Sequence, residues 1–184
     1  IRDRVSDHSR QPSISSDGLV VAFMSYANDL VPGDAGHIDI FIHNPGTGAT
    51  ECVSVSNSGE MGNADSNWAS VSADGRCVAF TSAATNLVSG DTNATNDVFV
   101  RDCEAGVTER ISVSGTGVEG NGWSDWPSIS GDGRLVAFRS WASNLVPDDT
   151  DEVGDIFVRD RGPRPPAVSI NAGASCTNST AVTL

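Results

Sequence analysis

At 184 residues the chain has the length of one ordinary domain, and its 38% hydrophobic residues, 19% charged residues and 19 glycines fit a β-rich protein with a modest core. A net charge of -13, with every basic residue an arginine, sets the chain against nucleic-acid phosphates and anionic membrane surfaces. It suits a solvated extracellular surface or a cation binder. No apolar run approaches the roughly 20 residues of a membrane span, so membrane insertion is not expected. Opening at Ile1 rather than Met, the chain reads as a piece of something longer.

Taken in order, the chain is an internal repeat. Residues 1–11 match the linkers found between later repeats. The first repeat spans 12–68 and opens with Ser13-Ile-Ser-Ser-Asp-Gly18; the second spans 69–126 and opens with Ser70-Val-Ser-Ala-Asp-Gly75. The third spans 127–162 and opens with Ser128-Ile-Ser-Gly-Asp-Gly133. Each opening leads to Val-Ala-Phe, ending at Phe23, Phe80 and Phe138, then to Leu30, Leu87 and Leu145, then to Asp39, Asp97 and Asp155. All six phenylalanines fall on repeat positions, the second set being Phe41, Phe99 and Phe157. The linkers repeat too: Gly62-Asn63, Ser66 and Trp68 match Gly120-Asn121, Ser124 and Trp126.

Four short strands are predicted per repeat. Ser-Ile-Ser is the first. Asp-Gly is the turn after it, since glycine tolerates the positive φ a tight hairpin requires. Arg-x-Val-Ala-Phe-x-Ser is the second strand, Asp-Val-Phe-Val-Arg the third and Thr-Glu-Arg-Ile-Ser-Val-Ser the fourth. No window has a helical apolar period. Val78-Ala79-Phe80 and Val98-Phe99-Val100 are apolar on both faces, as in a sheet buried from both sides. The fold class is therefore all-β, with four-stranded blades packed radially in a β-propeller. Three blades are too few for a ring of about 4–8. Either blades are missing upstream, which the linker-like residues 1–11 favour, or copies assemble.

The signature S-x-S-x-D-G-x-x-V-A-F-x-S followed by D-I/V-F-V-x-D resembles the TolB-type, WD-like propeller repeat of bacteria, over residues 12 to about 162. The resemblance implies a propeller in an exported bacterial protein, and implies no reaction. Residues 163–184 depart from it. Pro163-Arg-Pro-Pro166 reads as a semi-rigid linker. The segment from Val168 to Leu184 resembles the start of a bacterial immunoglobulin-like domain; alternatively, Ala167 to Ile170 forms the outer strand of the third blade.

Three sets of residues are candidates for function. The loops Asp91-Thr-Asn93-Ala-Thr95-Asn-Asp97 and Asp149-Thr-Asp151-Glu-Val-Gly-Asp155 place oxygens at alternate positions, as calcium ligands require, giving Asp91, Asn93, Thr95, Asp97, Asp149, Asp151 and Asp155 as a metal set. Equally, Asp39, Asp97 and Asp155 recur where the first loop lacks that spacing, which suits turn staples. Asp17, Asp74 and Asp132, and Asn44, Asp102 and Asp160, read as turn residues. Trp123 and Trp141 break the repeat and are the candidate ligand-binding aromatics; Trp68 and Trp126 either pack between blades or stack on a ligand. Cys77 and Cys103 sit at adjoining strand ends and are expected to form a disulfide in an oxidising compartment; Cys52 and Cys176 have no clear partner.

Catalysis finds little support. His8, His37 and His43 do not repeat, and neither a nucleophile elbow nor a zinc-protease motif is present. The expectation is a non-enzymatic binding or scaffold module, secreted, surface-attached or periplasmic, with a protein or glycan partner. Alternatives are a gating or docking propeller of a larger secreted hydrolase, or a structural subunit whose copies join through blade edges.

Overall fold

The computed structural model describes residues 8–34, 36–150 and 153–162, and these contain eleven strands and no helix. β1 (Ser9–Ile14), β2 (Val21–Ser25), β3 (Asp39–His43) and β4 (Thr50–Cys52) form the first antiparallel sheet in that spatial order. β5 (Ser66–Val71), β6 (Cys77–Ser82), β7 (Asp97–Asp102) and β8 (Val107–Arg110) form the second. β9 (Ser124–Ile129), β10 (Leu135–Ser140) and β11 (Asp155–Asp160) form the third. The stretch that would supply its outer strand, with the immunoglobulin-like reading and Cys176, lies outside the described residues.

Turn chemistry sets the inner hairpin of each blade. Asp74 Oδ1 accepts from Ser72 Oγ at 2.7 Å and from Arg76 N at 3.1 Å, and Asp17 and Asp132 make the same pair of bonds. This self-bonding of a short acidic side chain fixes the turn before any tertiary contact forms. Gly75 follows at φ 74°, where a Cβ would lie 2.5 Å from Val20 Cγ2 of the first blade. Glycine there answers both the backbone angle and the close approach of two blades.

Two strand boundaries differ from the sequence reading. The innermost strand starts well before Ser-Ile/Val-Ser and carries a bulge, between Asn67 and Ser70 in β5 and between Asp125 and Ser128 in β9. The outermost strand is shorter, because Val113 N donates to Ile111 O at 2.7 Å and Val55 N to Val53 O at 2.8 Å. Each of these bonds closes a three-residue turn that takes the chain off the sheet.

Alternation puts successive side chains on opposite faces. Val71, Val78, Phe80 and Phe99 face the first blade and pack with Ala22, Met24, Ile40 and Val53. Cys77, Ala79, Val98, Val100 and Ile111 face the third blade and pack with Val136, Phe138, Ala142 and Leu145. Sheet two is thus apolar on both faces because both are covered, as its unbroken apolar runs predict.

The same alternation corrects the expected disulfide. Cys77 pairs with Asp102 in the sheet register, so Cys103, the next residue, points to the opposite face. Cys77 joins the core toward blade three, whereas Cys103 packs against the core toward blade one. Cys52, Cys77 and Cys103 are free thiols. Burial pushes Cys103 and Cys52 up to about 12, which makes both poor nucleophiles.

Candidate functional site

The acidic loop of blade two links the end of β6 to β7. Asp97, first residue of β7, accepts through Oδ1 from Ser112 Oγ at 2.5 Å. Asp39 and Ser54 make the same contact in blade one. The serine oxygens also accept from Val98 N and Ile40 N, at 3.1 Å each. In blades one and two the recurring aspartate therefore ties its loop through a serine hydroxyl.

Asp91, Asp97 and Glu119 come together, each offering a carboxylate oxygen within 4.8 Å of the others. Glu119 was not visible as a partner in the sequence. Nor was Arg110, whose guanidinium stands among all three: one terminal nitrogen lies 3.7 Å from Asp91 Oδ1, 3.4 Å from Asp97 Oδ2 and within hydrogen-bond reach of Glu119 Oε1. The other donates to Gly90 O at 3.0 Å. Asn93 turns its amide N–H₂ to Asp97 Oδ2 and to Gly120 O, and its oxygen accepts from Thr95 N. The Asn93 and Asp97 oxygens are thus used inside the loop, Asp91 Oδ1 is buried without a hydrogen-bond partner, and the positive charge at the centre is a guanidinium.

The electrostatics follow from this packing. Burial raises Asp91 from 3.8 to about 6, with Asp97 adding to the rise and Arg110 opposing it. Burial also raises Asp97, against the bonds from Ser112 and Asn93. Burial acts to raise Glu119 as well, but bonds from Thr92 and the charge of Arg110 leave it below its ordinary value. In blade three, Asp149 and Asp155 are half-buried, and Asp151 lies outside the described residues.

The second candidate is aromatic. All four tryptophans of the chain join in one surface stripe. Trp68 meets Trp126 edge-on at 5.7 Å, and Trp123 meets Trp141 at 6.0 Å. Arg139 connects the pairs, its guanidinium carbon 3.7 Å from the Trp126 ring centre and 4.2 Å from that of Trp141. Buried Asp125 holds that arginine with two bonds, at 2.9 and 2.8 Å. Trp141 lies against Gly154, where a Cβ would come within 2.8 Å of the indole.

The tryptophans remain 39% to 52% exposed. Trp68 and Trp126, read as inter-blade packing or ligand stacking, touch across blades yet keep open faces. Both sit in the strand bulge at φ 61° and φ 52°, and Gln11 takes the equivalent place at φ 54°. Left-handed backbone costs an ordinary side chain about 1–2 kcal/mol. The bulge itself does not require an indole, since Gln11 fills the same conformation. What two tryptophans add there is exposed aromatic surface beside a guanidinium.

No protein-family model and no curated protein matches this chain. Solved structures do. A putative TolB from Agrobacterium tumefaciens is similar at 20% identity and a TM-score of 0.50, over 84% of this chain and 46% of that one. A prolyl endopeptidase structure is similar at 12% identity and a TM-score of 0.51, over 90% of this chain and 22% of that one. The chain thus spans less than half the length of either. With three antiparallel sheets packed face to face already described, these likenesses identify the fold as that of a β-propeller, of which the chain forms a part.

Proposed function

We propose that the chain is a non-enzymatic binding module of an exported protein, periplasmic or extracellular, that takes a protein or glycan on its tryptophan stripe. The observation that carries this reading is the gathering of all four tryptophans, exposed, around Arg139. Indole faces stack on the apolar faces of sugars and on peptide side chains, while Arg139, held in place by buried Asp125, supplies a polar edge. The net charge of -13 disfavours anionic polymers. No helix among the described residues is long and apolar enough to cross a membrane.

Tryptophan fluorescence tests this against panels of neutral oligosaccharides and of peptides. A saturable shift with one panel, weakened at least tenfold by Trp141→Ala, supports the reading and names the partner class. Silence across both panels overturns it.

A gating or docking role beside a hydrolase domain is the second reading; the propeller shared with a prolyl endopeptidase supports no more than its fold. Calcium remains a proposal for the loops. In blade two it would have to displace Arg110. Asp149, Asp151 and Asp155 of blade three are therefore the set to test first. A melting midpoint raised by millimolar calcium over EDTA, and lost in Asp149→Ala, supports that assignment. An unchanged midpoint removes calcium from the account.

A further inference from the structure

Blade three departs from blade two at a set of positions that meet in one place. Where blade two has Asp65, Asn67, Thr81 and Ala83, blade three has Trp123, Asp125, Arg139 and Trp141. Where blade two has Ala64 and Asn96, blade three has Gly122 and Gly154. The two glycines make room for Trp141: a Cβ on Gly122 would lie 2.7 Å from its carbonyl oxygen, and one on Gly154 would lie 2.8 Å from its indole. Asp125 and Arg139 stand opposite each other in the register of β9 and β10, so their ion pair is built across two strands. Blade two forms the matching strands without any of these residues, so the sheet does not require them. Departures that agree with one another and add nothing to the fold are expected at functional sites.

The hydrogen-bonding character of the stripe is one-sided. None of the four indole N–H groups meets an acceptor among the described residues. Arg139 commits Nε and Nη2 to Asp125, and its Nη1 meets no acceptor there. The nearby side-chain oxygens are already engaged: both oxygens of Asp125 hold Arg139, and Gln11 Oε1 accepts from Trp68 N at 2.8 Å. The stripe thus offers flat apolar faces and N–H donors, with that carboxylate and that amide oxygen occupied. A sugar chain brings hydroxyls that donate as well as accept, and an ordinary peptide brings backbone N–H groups. A run of prolines brings apolar rings and carbonyl oxygens with no backbone N–H at all.

On the reading of the tryptophan stripe as a binding surface, we infer that its partner is a proline-rich peptide with basic flanks, bound as a polyproline II helix. Aromatic-lined surfaces dock such segments, whose preformed helix keeps the cost of ordering low. The spacing is compatible. Arg139 lies 3.7 and 4.2 Å from the ring centres of Trp126 and Trp141, which puts those rings within about 8 Å of each other. In polyproline II, residues three apart share one edge at a spacing of about 9 Å. Charge selects the flanks. Asp125 neutralises Arg139, and the chain as a whole carries -13, so basic residues beside the prolines are attracted and acidic ones repelled.

Tryptophan fluorescence of the 184-residue chain, titrated with defined probes, tests it. The probes are decaproline capped by arginine at both ends, a glycine-serine peptide of the same length and caps, and a neutral β-linked glucose hexasaccharide. The expected result is a saturable shift with decaproline, at least tenfold weaker with the glycine-serine peptide and absent with the hexasaccharide. Trp141→Phe, which keeps a ring and loses the N–H, is expected to weaken decaproline binding at least threefold, and Trp126→Ala at least tenfold. Equal affinity for the two peptides overturns the inference, since charge alone then suffices. Unchanged affinity in both variants overturns it as well. Binding of the hexasaccharide without decaproline also overturns it, and leaves the stripe a glycan site. Silence with all three probes overturns the inference; a response to the broader sugar or peptide panels then still upholds the stripe, and silence there removes both. Circular dichroism checks each variant's fold, and Trp123→Ala replaces Trp126→Ala if that variant unfolds.

Discussion

Blades two and three place nearly the same residues in the same register, yet Val98 and Val100 of blade two are fully buried whereas Ile156 and Val158 of blade three are exposed. The strands Asp97–Asp102 and Asp155–Asp160 differ by one conservative change, Val98 against Ile156. Burial here belongs to the neighbouring sheet and not to the strand itself. The comparison can be broken by paired truncation. Val100→Ala is expected to cost about 1.5–3 kcal/mol, the usual range for a buried valine side chain, and Val158→Ala less than half as much. Urea midpoints measured at low protein concentration check this; equal losses would mean that blade three is covered by something outside the described residues.

A second contrast lies between the loops of blades one and two. The repeat positions of Arg110 and Glu119 are held in blade one by Cys52 and Met61. Blade two closes its loop around the Arg110 guanidinium, whereas the blade-one loop is held by Asp65, which accepts from Ile38 N. Arg110→Met should therefore cost about 3 kcal/mol, because three clustered carboxylates lose their cation. Adding Glu119→Gln should recover part of the loss, since one of the stranded charges goes with it. Chemical denaturation of the single and double variants measures both steps.

Propeller, register and core were legible in the sequence because they rest on local patterns repeated three times. Val-Ala-Phe and Asp-Val-Phe-Val carry their own periodicity, and Asp74 makes its turn bonds within five residues. The loop's real partners were not legible, because Arg110 and Glu119 reach it from another strand and a following turn. Their signal was present as a coupled departure: where blade one reads Cys52 and Met61, blade two reads two opposite charges. The disulfide expectation failed on parity, since adjoining strand ends do not put two thiols on one face. The exposure of Trp68 and Trp126 depends on backbone sign at a bulge, which residue identity alone does not reveal.

Titration sharpens the loop comparison. Burial raises Asp39 and Asp91 to about 6, above their ordinary 3.8. Such carboxyls hold a proton more tightly folded than unfolded. Their contribution is fully present below about pH 4 and is lost as pH rises through about 6. Asp160 runs the other way: its bond from Arg134 lowers it to about 2, so its contribution is present above pH 4 and lost as pH falls toward 2. Stability should therefore peak near pH 4 and decline between pH 5 and pH 7 by about 1–2 kcal/mol. Asp39→Asn should flatten that decline, as the amide oxygen still accepts from Ser54. Denaturant midpoints at pH 5 and pH 7 decide it; a midpoint that climbs toward pH 7 contradicts the burial argument.

The smallest expected effect separates a binding tryptophan from a packing one. Trp68→Gly removes an indole that is 42% exposed and touches Trp126 only edge-on. A buried tryptophan changed to a small residue costs about 3–5 kcal/mol. At φ 61°, glycine instead relieves a left-handed strain of about 1–2 kcal/mol, which offsets the lost aromatic pair of about 0.5–1.5 kcal/mol. Stability should thus change by no more than about 1 kcal/mol in either direction. If the midpoint holds while ligand affinity falls, the strain is kept for what the indole displays. If the midpoint collapses, Trp68 is an inter-blade packing residue, and the binding stripe contracts to Trp123, Trp126 and Trp141 around Arg139.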